Sequence, residues 1–251
     1  MAKKSLSQGE LIFGIHPIVE LLKAKKRKLI TIYTTKPEPK SWSLITRLLP
    51  ERPVVPVQYV SREVLHKLAG TTDHQGIVAY AQPFIVRKKF FDAQKQPLLI
   101  MLDGIQDVHN LGAILRSTYC TGFDGVILCQ KQAAPITATV LKSSAGLAEH
   151  MDIYIAPSPQ AAVQELKKAG YTLYMTFFDG VDATTCDYKA PLCIVIGGEG
   201  FGISKEISNA GIHITLPQKT KDISYNASVA AGITLFLVAN RVGMFARQID
   251  I

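Results

Sequence analysis

The sequence predicts an α/β protein with a parallel sheet in its carboxyl-terminal part and a smaller α/β domain before it. Apolar runs such as Leu98–Leu102 and Leu192–Ile196 show no alternation, which is typical of strands covered on both faces. Segments with helical spacing lie between these runs, as crossover helices do in a parallel sheet. Hydrophobic residues make up 47% of the 251 residues, which is enough for real cores.

The first part of the chain alternates short helical and strand patterns. Pro17 suits the first position of a helix that continues into a run of cations. Ser61 suits an N-cap, and Gly70 ends the helix that follows it. After the Pro17 helix, the order β-α-β-α-β within about 75 residues predicts a compact module. The expected elements are Leu29–Thr34 (strand), Ser41–Leu49 (helix), Val54–Val57 (strand), Ser61–Ala69 (helix) and Gly76–Ala81 (strand).

The second part contains about six strand patterns separated by helical ones. We therefore predict domains at residues 1–84 and 97–251, with residues 85–96 as a charged linker that leads into Pro97. Helices are expected at 110–121, 137–147, 159–169, 203–209 and about 227–239. The strands are expected at Leu98–Leu102, Gly125–Cys129, Ile153–Ile155, Tyr171–Thr176, Leu192–Ile196 and Ile212–Leu216.

The positive charge lies almost entirely in the first part. The formal net charge is +8, and residues 1–97 carry 17 Lys and Arg against 7 Asp and Glu, which leaves −2 for the rest. A basic domain on a nearly neutral one favours a polyanion, most often nucleic acid, although a solubilising surface is the alternative. Candidate RNA contacts, each with a structural or solvated alternative, are His16, Lys23, Lys25, Lys26, Arg27, Lys28, His74, Arg87 and Lys88.

The cysteines and the amino terminus predict a cytoplasmic protein. The four cysteines form no CxxC pair and have no histidine at zinc spacing, so we expect reduced, buried thiols and no metal site. The first ten residues show no apolar signal-peptide region. The longest apolar helical run, about 227–239, is shorter than the roughly 20 residues that a membrane span needs.

Three polar segments follow predicted strands, where open α/β sheets bind ligands. In the first, Asn110 suits either a helix cap or a site residue, and Arg116 suits either a solvated surface or a phosphate contact. In the second, four glycines surround Glu199, which suits either a cap or a site facing a small ligand. The glycine spacing does not match a dinucleotide fingerprint, which disfavours a nucleotide-dependent oxidoreductase. The third carries Ser224, Asn226 and Ser228, one of which is expected to cap the next helix.

The three segments, in this order, resemble the motifs of the TrmH/SpoU family of RNA ribose 2′-O-methyltransferases, within the SPOUT class. The amino-terminal phrases FGIHPIVELL and HQGIVA resemble the family's L30e-like substrate-binding domain, so the resemblance covers nearly the whole chain. The matching positions are Asn110, Gly112 and Arg116 in the first motif, Gly197, Glu199, Gly200 and Gly202 in the second, and Ser224, Asn226 and Ser228 in the third.

The resemblance implies a deep trefoil knot, a homodimer packed through the methyltransferase domain, and S-adenosylmethionine as methyl donor. RNA is then the substrate and no DNA is expected. Arg116 would act on the ribose hydroxyl, and the other implied catalytic residues are Asn110, Glu199, Ser224 and Asn226. The implied cofactor-binding residues are Thr176, Ile196, Gly197, Gly198, Leu216, Tyr225 and Asn226.

The resemblance favours a guanosine of 23S rRNA as the target, with a tRNA target as the alternative. The third motif departs from the family pattern at Gln218, Thr220 and Tyr225. This departure supports a further alternative, a catalytically degenerate RNA-binding protein or ribosome assembly factor.

Overall fold

A computed structural model describes residues 9–130, 133–220 and 222–245. The chain forms two compact units. One contains residues 1–85 together with 136–150, and the other contains residues 86–135 and 151–251. The chain therefore passes between the units three times, and each unit is described by itself below.

The first unit is built on a four-stranded sheet. In chain order, the elements of residues 1–85 are β1 (Glu10–Phe13), α1 (Ile15–Ala24), β2 (Leu29–Thr34), α2 (Trp42–Thr46), β3 (Val57–Tyr59), α3 (Arg62–Ala69) and β4 (Ile77–Ala81). The strand order is β1-β4-β2-β3, in which β4 pairs antiparallel with both β1 and β2, whereas β2 and β3 are parallel.

Local sequence signals predicted some elements of this unit better than others. Ser61 caps α3, as predicted, because its hydroxyl accepts a hydrogen bond from the Val64 amide at 3.4 Å. The first helix begins two residues before Pro17, so the proline is not at its first position. The strand expected at Val54–Val57 instead lies at Val57–Tyr59, and β1 was not predicted as a strand.

Residues 136–150 contribute a helix, α5 (Ala138–Ser143), and a 3-10 turn (Leu147–His150) to the first unit. The sequence predicted one helix over 137–147 and assigned it to the second domain. The packing differs because Glu149 is buried and its carboxylate pairs with the Arg27 guanidinium, with a distance of 3.0 Å from Nε to Oε2. The interior of the first unit thus depends on a segment more than 120 residues away in sequence.

The second unit contains a six-stranded parallel sheet. Its elements are β5 (Leu98–Asp103), α4 (Val108–Cys120), β6 (Gly125–Cys129), β7 (Asp152–Ala156), α6 (Pro159–Lys168), β8 (Thr172–Asp182), β9 (Leu192–Gly197), a 3-10 turn (Lys205–Ile207), β10 (Ile212–Thr215) and α7 (Ala227–Arg241). The strand order is β10-β8-β9-β5-β6-β7, and all neighbouring pairs are parallel. This confirms the predicted fold class. The trefoil knot stays a prediction.

The central strands of this sheet are covered on both faces. Every residue of β5 and β6 is buried, and so are five of the six residues of β9. Cys129 and Cys193 belong to this core, and burial together with the Asp103 charge raises the pKa of the Cys129 thiol to about 12. That thiol is therefore uncharged at neutral pH. Cys120 is exposed, contrary to the expectation that all four cysteines are buried.

Candidate active site

The strand order places four loops side by side at the carboxyl edge of the sheet. β10, β8, β9 and β5 are consecutive neighbours, and in a parallel sheet the segments that follow such strands meet at one edge. A cavity of about 760 Å³ opens among residues of β8 and the segments that follow β9 and β10. Its lining includes all seven residues predicted to bind the cofactor: Thr176, Ile196, Gly197, Gly198, Leu216, Tyr225 and Asn226.

Two glycines allow the second motif to fold tightly against its neighbours. A Cβ on Gly197 would lie 2.2 Å from the Gly202 carbonyl carbon, and a Cβ on Gly198 would lie 2.1 Å from the Gly104 carbonyl oxygen. Both distances are far below a normal contact with backbone, so no side chain fits at either position. Asp103 fixes the far end of the loop, because its Oδ2 accepts a hydrogen bond from the Ser204 amide at 2.7 Å.

The first and second motifs are joined by a hydrogen bond between side chains. The Asn110 amide nitrogen donates to Glu199 Oε1 at 2.7 Å. The expectation that α4 begins near Asn110 is wrong by two residues, because Asp107 is the N-cap and accepts from the His109 amide at 2.6 Å. Asn110 therefore lies inside the helix, and its side chain is available to Glu199. Glu199 faces the site and does not cap a helix.

The third motif forms a cross-linked loop at the wall of the cavity. Gln218 Nε2 donates to the carbonyls of Thr220 and Ile223, and the Tyr225 hydroxyl donates to the Pro217 carbonyl at 3.3 Å. Gln218, Thr220 and Tyr225 are the residues that depart from the family pattern, and they bond within this one loop. The sequence singled out these positions but did not indicate that they interact.

Asn226 is the residue of the third motif that caps α7. Its side-chain oxygen accepts from the Ser228 amide at 2.9 Å and from the Ser228 hydroxyl at 2.7 Å. Ser224 is exposed and lines the same cavity as Glu199 and Asn226. Four of the five predicted catalytic residues thus lie at the cavity or one hydrogen bond away from it.

Arg116, the fifth predicted catalytic residue, lies on the exposed face of α4. Across residues 9–130, 133–220 and 222–245, its guanidinium makes no ion pair or hydrogen bond with another side chain or carbonyl. The structure therefore presents a charged group to solvent on the helix that carries Asn110. Its role stays a prediction.

The predicted RNA contacts differ in exposure and in the partners that their side chains already have. Arg27 is 4% exposed and His74 is 1% exposed, and His74 Nδ1 accepts a hydrogen bond from the Gly76 amide at 3.0 Å. This burial contradicts a direct RNA contact by either residue. Arg87 pairs with Asp152 at 2.7 Å and stacks on Phe91, and the Lys26 ammonium donates to the His150 carbonyl. The exposed candidates are His16, Lys23, Lys25, Lys26, Lys28 and Lys88.

Two residues at the edge of the site were not predicted. Asp103 is buried at the end of an otherwise apolar strand. The signal in the sequence is a carboxylate that directly follows an apolar run. Phe201 is 99% exposed beside Glu199, and its flanking glycines gave no indication of where the ring points.

Within the described part of the chain, no group of His, Cys, Asp and Glu is arranged to hold a metal ion. No described helix is long and apolar enough to cross a bilayer.

Two family models match the chain. The SpoU rRNA Methylase family covers residues 97–236, and the RNA 2′-O ribose methyltransferase substrate-binding model covers residues 11–85. The TrmH-family protein YacO from Bacillus subtilis is 30% identical over 92% of this chain and 95% of its own length. The 23S rRNA (guanosine-2′-O-)-methyltransferase RlmB from Shewanella oneidensis is 30% identical over 92% and 97%.

Solved structures show the same fold. The AdoMet-bound rRNA methyltransferase from Sinorhizobium meliloti matches with a TM-score of 0.77 and 22% identity over 93% of this chain and 87% of that one. The SpoU methyltransferase AviRb from Streptomyces viridochromogenes, in complex with AdoMet, matches with a TM-score of 0.77 and 21% identity over 92% and 89%. The chain belongs to the SpoU/TrmH family of RNA 2′-O-methyltransferases.

Proposed function

We propose that this protein transfers a methyl group from S-adenosylmethionine to a ribose 2′-hydroxyl of structured RNA, and that the target is a guanosine of 23S rRNA. The observation that carries the proposal is the Asn110–Glu199 hydrogen bond, which joins the first motif to the cavity formed by the other two. The similarity to RlmB over nearly its full length supports the ribosomal target over tRNA.

The cavity suits the proposed methyl donor. Its volume of about 760 Å³ lies in the usual range for small-molecule sites. Gly197 and Gly198 bring bare backbone to its wall, which provides amide and carbonyl groups for a polar ligand. The Thr176 hydroxyl is already bonded to the Val195 carbonyl at 3.1 Å, so the main chain at Thr176 is the part that would contact the ligand.

When bound, S-adenosylmethionine would supply an electrophilic methyl group on a sulfonium, and transfer to the RNA hydroxyl would exchange a C–S bond for a C–O bond and leave a neutral thioether. The protein's task is then to position the ribose and help remove its proton. A guanidinium is not deprotonated in proteins, so Arg116 supplies the positive charge of the proposed site. Arg116 binds the phosphate beside the target ribose and polarises the 2′-hydroxyl. The phosphate or a water molecule takes the proton of that hydroxyl.

Asn110 and Glu199 orient the ribose and Arg116, while Ser224 and Asn226 order the wall of the site. The exposed side chains proposed to contact RNA are His16, Lys23, Lys25, Lys26, Lys28 and Lys88.

We also propose a homodimer through the carboxyl-terminal helix, because Val229, Ile233 and Phe236 expose an apolar stripe along α7. The cytoplasm is the proposed location.

Replacing Arg116 tests the catalytic assignment. Arg116→Ala is expected to lower methyl transfer to a 23S rRNA transcript by about a thousandfold or more, while calorimetry shows unchanged affinity for S-adenosylmethionine. Lys168→Ala is the matched control, because it removes one exposed cation from α6 and is expected to leave the rate unchanged. Undiminished turnover by the Arg116 variant would contradict the assignment.

The RNA target has its own experiment. Mapping 2′-O-methylated positions in total RNA from a strain that lacks the gene is expected to reveal one missing site in 23S rRNA. A missing site in tRNA would support the tRNA alternative. No missing site, together with no calorimetric binding of S-adenosylmethionine, would support an RNA-binding protein without catalysis.

A further inference from the structure

Two phenylalanine rings are exposed at the cavity and have no role in the site described above. Phe201 is 99% exposed, and Phe178 is 59% exposed. Both residues line the cavity, but they come from different segments, the loop after β9 and the outer part of β8. We call Phe178 and Phe201 the aromatic rim.

The position of Phe201 is set by the loop that carries Glu199. The Gly202 amide donates to the Gly198 carbonyl at 3.1 Å, so the chain turns back on itself between these residues. Phe201 lies within that turn, two residues from the carboxylate that accepts the Asn110 hydrogen bond. Removing a large apolar ring from water is favourable, so a ligand that packs against Phe201 gains binding free energy at this position.

The geometry points to an unpaired nucleobase as the ligand: we propose that Phe201 stacks on a base of the RNA next to the target ribose, with Phe178 as a second contact at the same cavity. This inference rests on the proposed function. Aromatic side chains are the usual platform for bases in single-stranded RNA, and they offer no complement to phosphate. The rim would therefore act on base placement, separately from the exposed cations of the first unit.

Two other occupants are conceivable, and each makes a different prediction. The adenine of S-adenosylmethionine would make the rim part of the cofactor site, so its loss would weaken cofactor binding. A second copy of the chain would make the rim part of a dimer, so its loss would change the oligomeric state. The exposed apolar residues of α7, Val229, Ile233 and Phe236, do not line the cavity, so a second copy has other apolar surface to cover, which favours the base.

A series at position 201 tests the proposal. Phe201→Ala and Phe201→Leu are expected to raise the KM for a 23S rRNA transcript by about tenfold, since one base–aromatic stack is lost in each. Phe201→Trp is expected to stay within about twofold of the wild type, because the indole also stacks. The calorimetric Kd for S-adenosylmethionine is expected to remain unchanged in all three variants.

Ile155→Ala is the control for removal of exposed apolar surface. Ile155 is 41% exposed on β7, the strand at the opposite edge of the sheet from β10, and its variant is expected to keep the wild-type KM. Wild-type KM in Phe201→Leu would overturn stacking, because leucine keeps the bulk and loses the ring. A weaker Kd for S-adenosylmethionine, or a changed molecular mass in solution, would overturn the base as occupant.

Direct RNA binding separates this inference from the proposed function. The affinity of each variant for the same transcript is measured without S-adenosylmethionine, by fluorescence anisotropy. Loss of affinity in Phe201→Ala, alongside a wild-type protein that binds RNA but does not methylate it, would overturn the methyltransferase proposal and support the stack. Unchanged affinity and KM in an active enzyme would overturn the stack alone.

Discussion

The sequence made Arg27 a candidate RNA contact and Arg116 a candidate catalytic residue, and the structure places the two arginines in opposite environments. Arg27 is 4% exposed, and its guanidinium bonds to Glu149, Glu10 and the Gln82 carbonyl. Arg116 is exposed on α4 and has no such partner among the described residues. Arg27 therefore acts within the first unit, whereas Arg116 is available to a ligand.

The comparison shows that a run of cations in a sequence does not define a binding surface. Glu149, the main partner of Arg27, lies 122 residues away along the chain. Lys23 also pairs with an acidic residue, Glu20, at 2.8 Å. Only the contacts reveal which cations hold the unit together and which, such as Lys25 and Lys28, project from it.

The largest predicted effect comes from removing Arg27. Arg27→Ala leaves the Glu149 carboxylate buried without its partner, so the free energy of unfolding of the first unit should fall by about 3–5 kcal/mol. Urea denaturation measures this change. The methylation rate at low temperature, where the variant remains folded, should stay near that of the wild type.

Neighbouring substitutions sharpen the result for Arg27. Lys28→Ala removes an adjacent exposed cation and should change stability by no more than about 0.5 kcal/mol. Replacing the pair together, with Arg27→Met and Glu149→Leu, should restore most of the lost stability. If Arg27→Ala were fully stable but bound RNA poorly, the two arginines would be alike and the comparison would fail.

An intermediate effect is expected at Asn110, on the catalytic side of the comparison. Asn110→Ala removes the donor that holds the Glu199 carboxylate in place, and a small misplacement of a positioning group can lower a rate by about a hundredfold. The kcat for methyl transfer should therefore fall by about tenfold to a hundredfold. Stability should change little, because both side chains are partly exposed.

Asp107→Ala is the control for Asn110, since it weakens the cap of the same helix and leaves the Asn110 donor in place. It should cost about 1 kcal/mol of stability and leave kcat close to the wild-type value. A kcat loss in Asp107→Ala as large as that in Asn110→Ala would mean that helix stability, and not the Glu199 contact, controls the site.

The smallest effect is expected at Glu20. Burial raises the pKa of this carboxyl, but hydrogen bonds and charges from Lys23 and His150 outweigh burial and hold the pKa below its usual value of 4.5. Stability from these contacts is therefore present above the unfolded-state pKa and is lost as the pH falls through the folded-state value. Glu20→Gln should remove less than about 1 kcal/mol near neutral pH.

Urea midpoints measured between about pH 3 and pH 7 test the Glu20 prediction. The difference between the wild type and Glu20→Gln should shrink as the solution becomes more acidic, since the wild-type carboxyl then also becomes neutral. Glu165→Gln is the control on α6. A difference that grew toward acid pH would contradict the assigned direction of the pKa shift.

Sequence patterns predicted the sheet of the second unit well, because burial on both faces leaves a continuous apolar run. β6 has the predicted bounds, while β5 and β9 each extend one residue further. The length of β8 was underestimated, since its outer residues Phe178 to Val181 are exposed and do not form an apolar run. The helix predicted at 203–209 is only a 3-10 turn at Lys205–Ile207.

By itself, the sequence determined the fold class, the order of the three motifs and the family. These depend on local patterns and on residue types at fixed spacing, which a chain displays before it folds. Only the tertiary structure decided that residues 136–150 pack in the first unit, that Asp107 leaves Asn110 available to Glu199, and that Arg27 is buried while Arg116 is exposed. The physical reason is that the burial and the pairing of a side chain depend on partners distant in sequence, and a local sequence pattern does not show which partners these are.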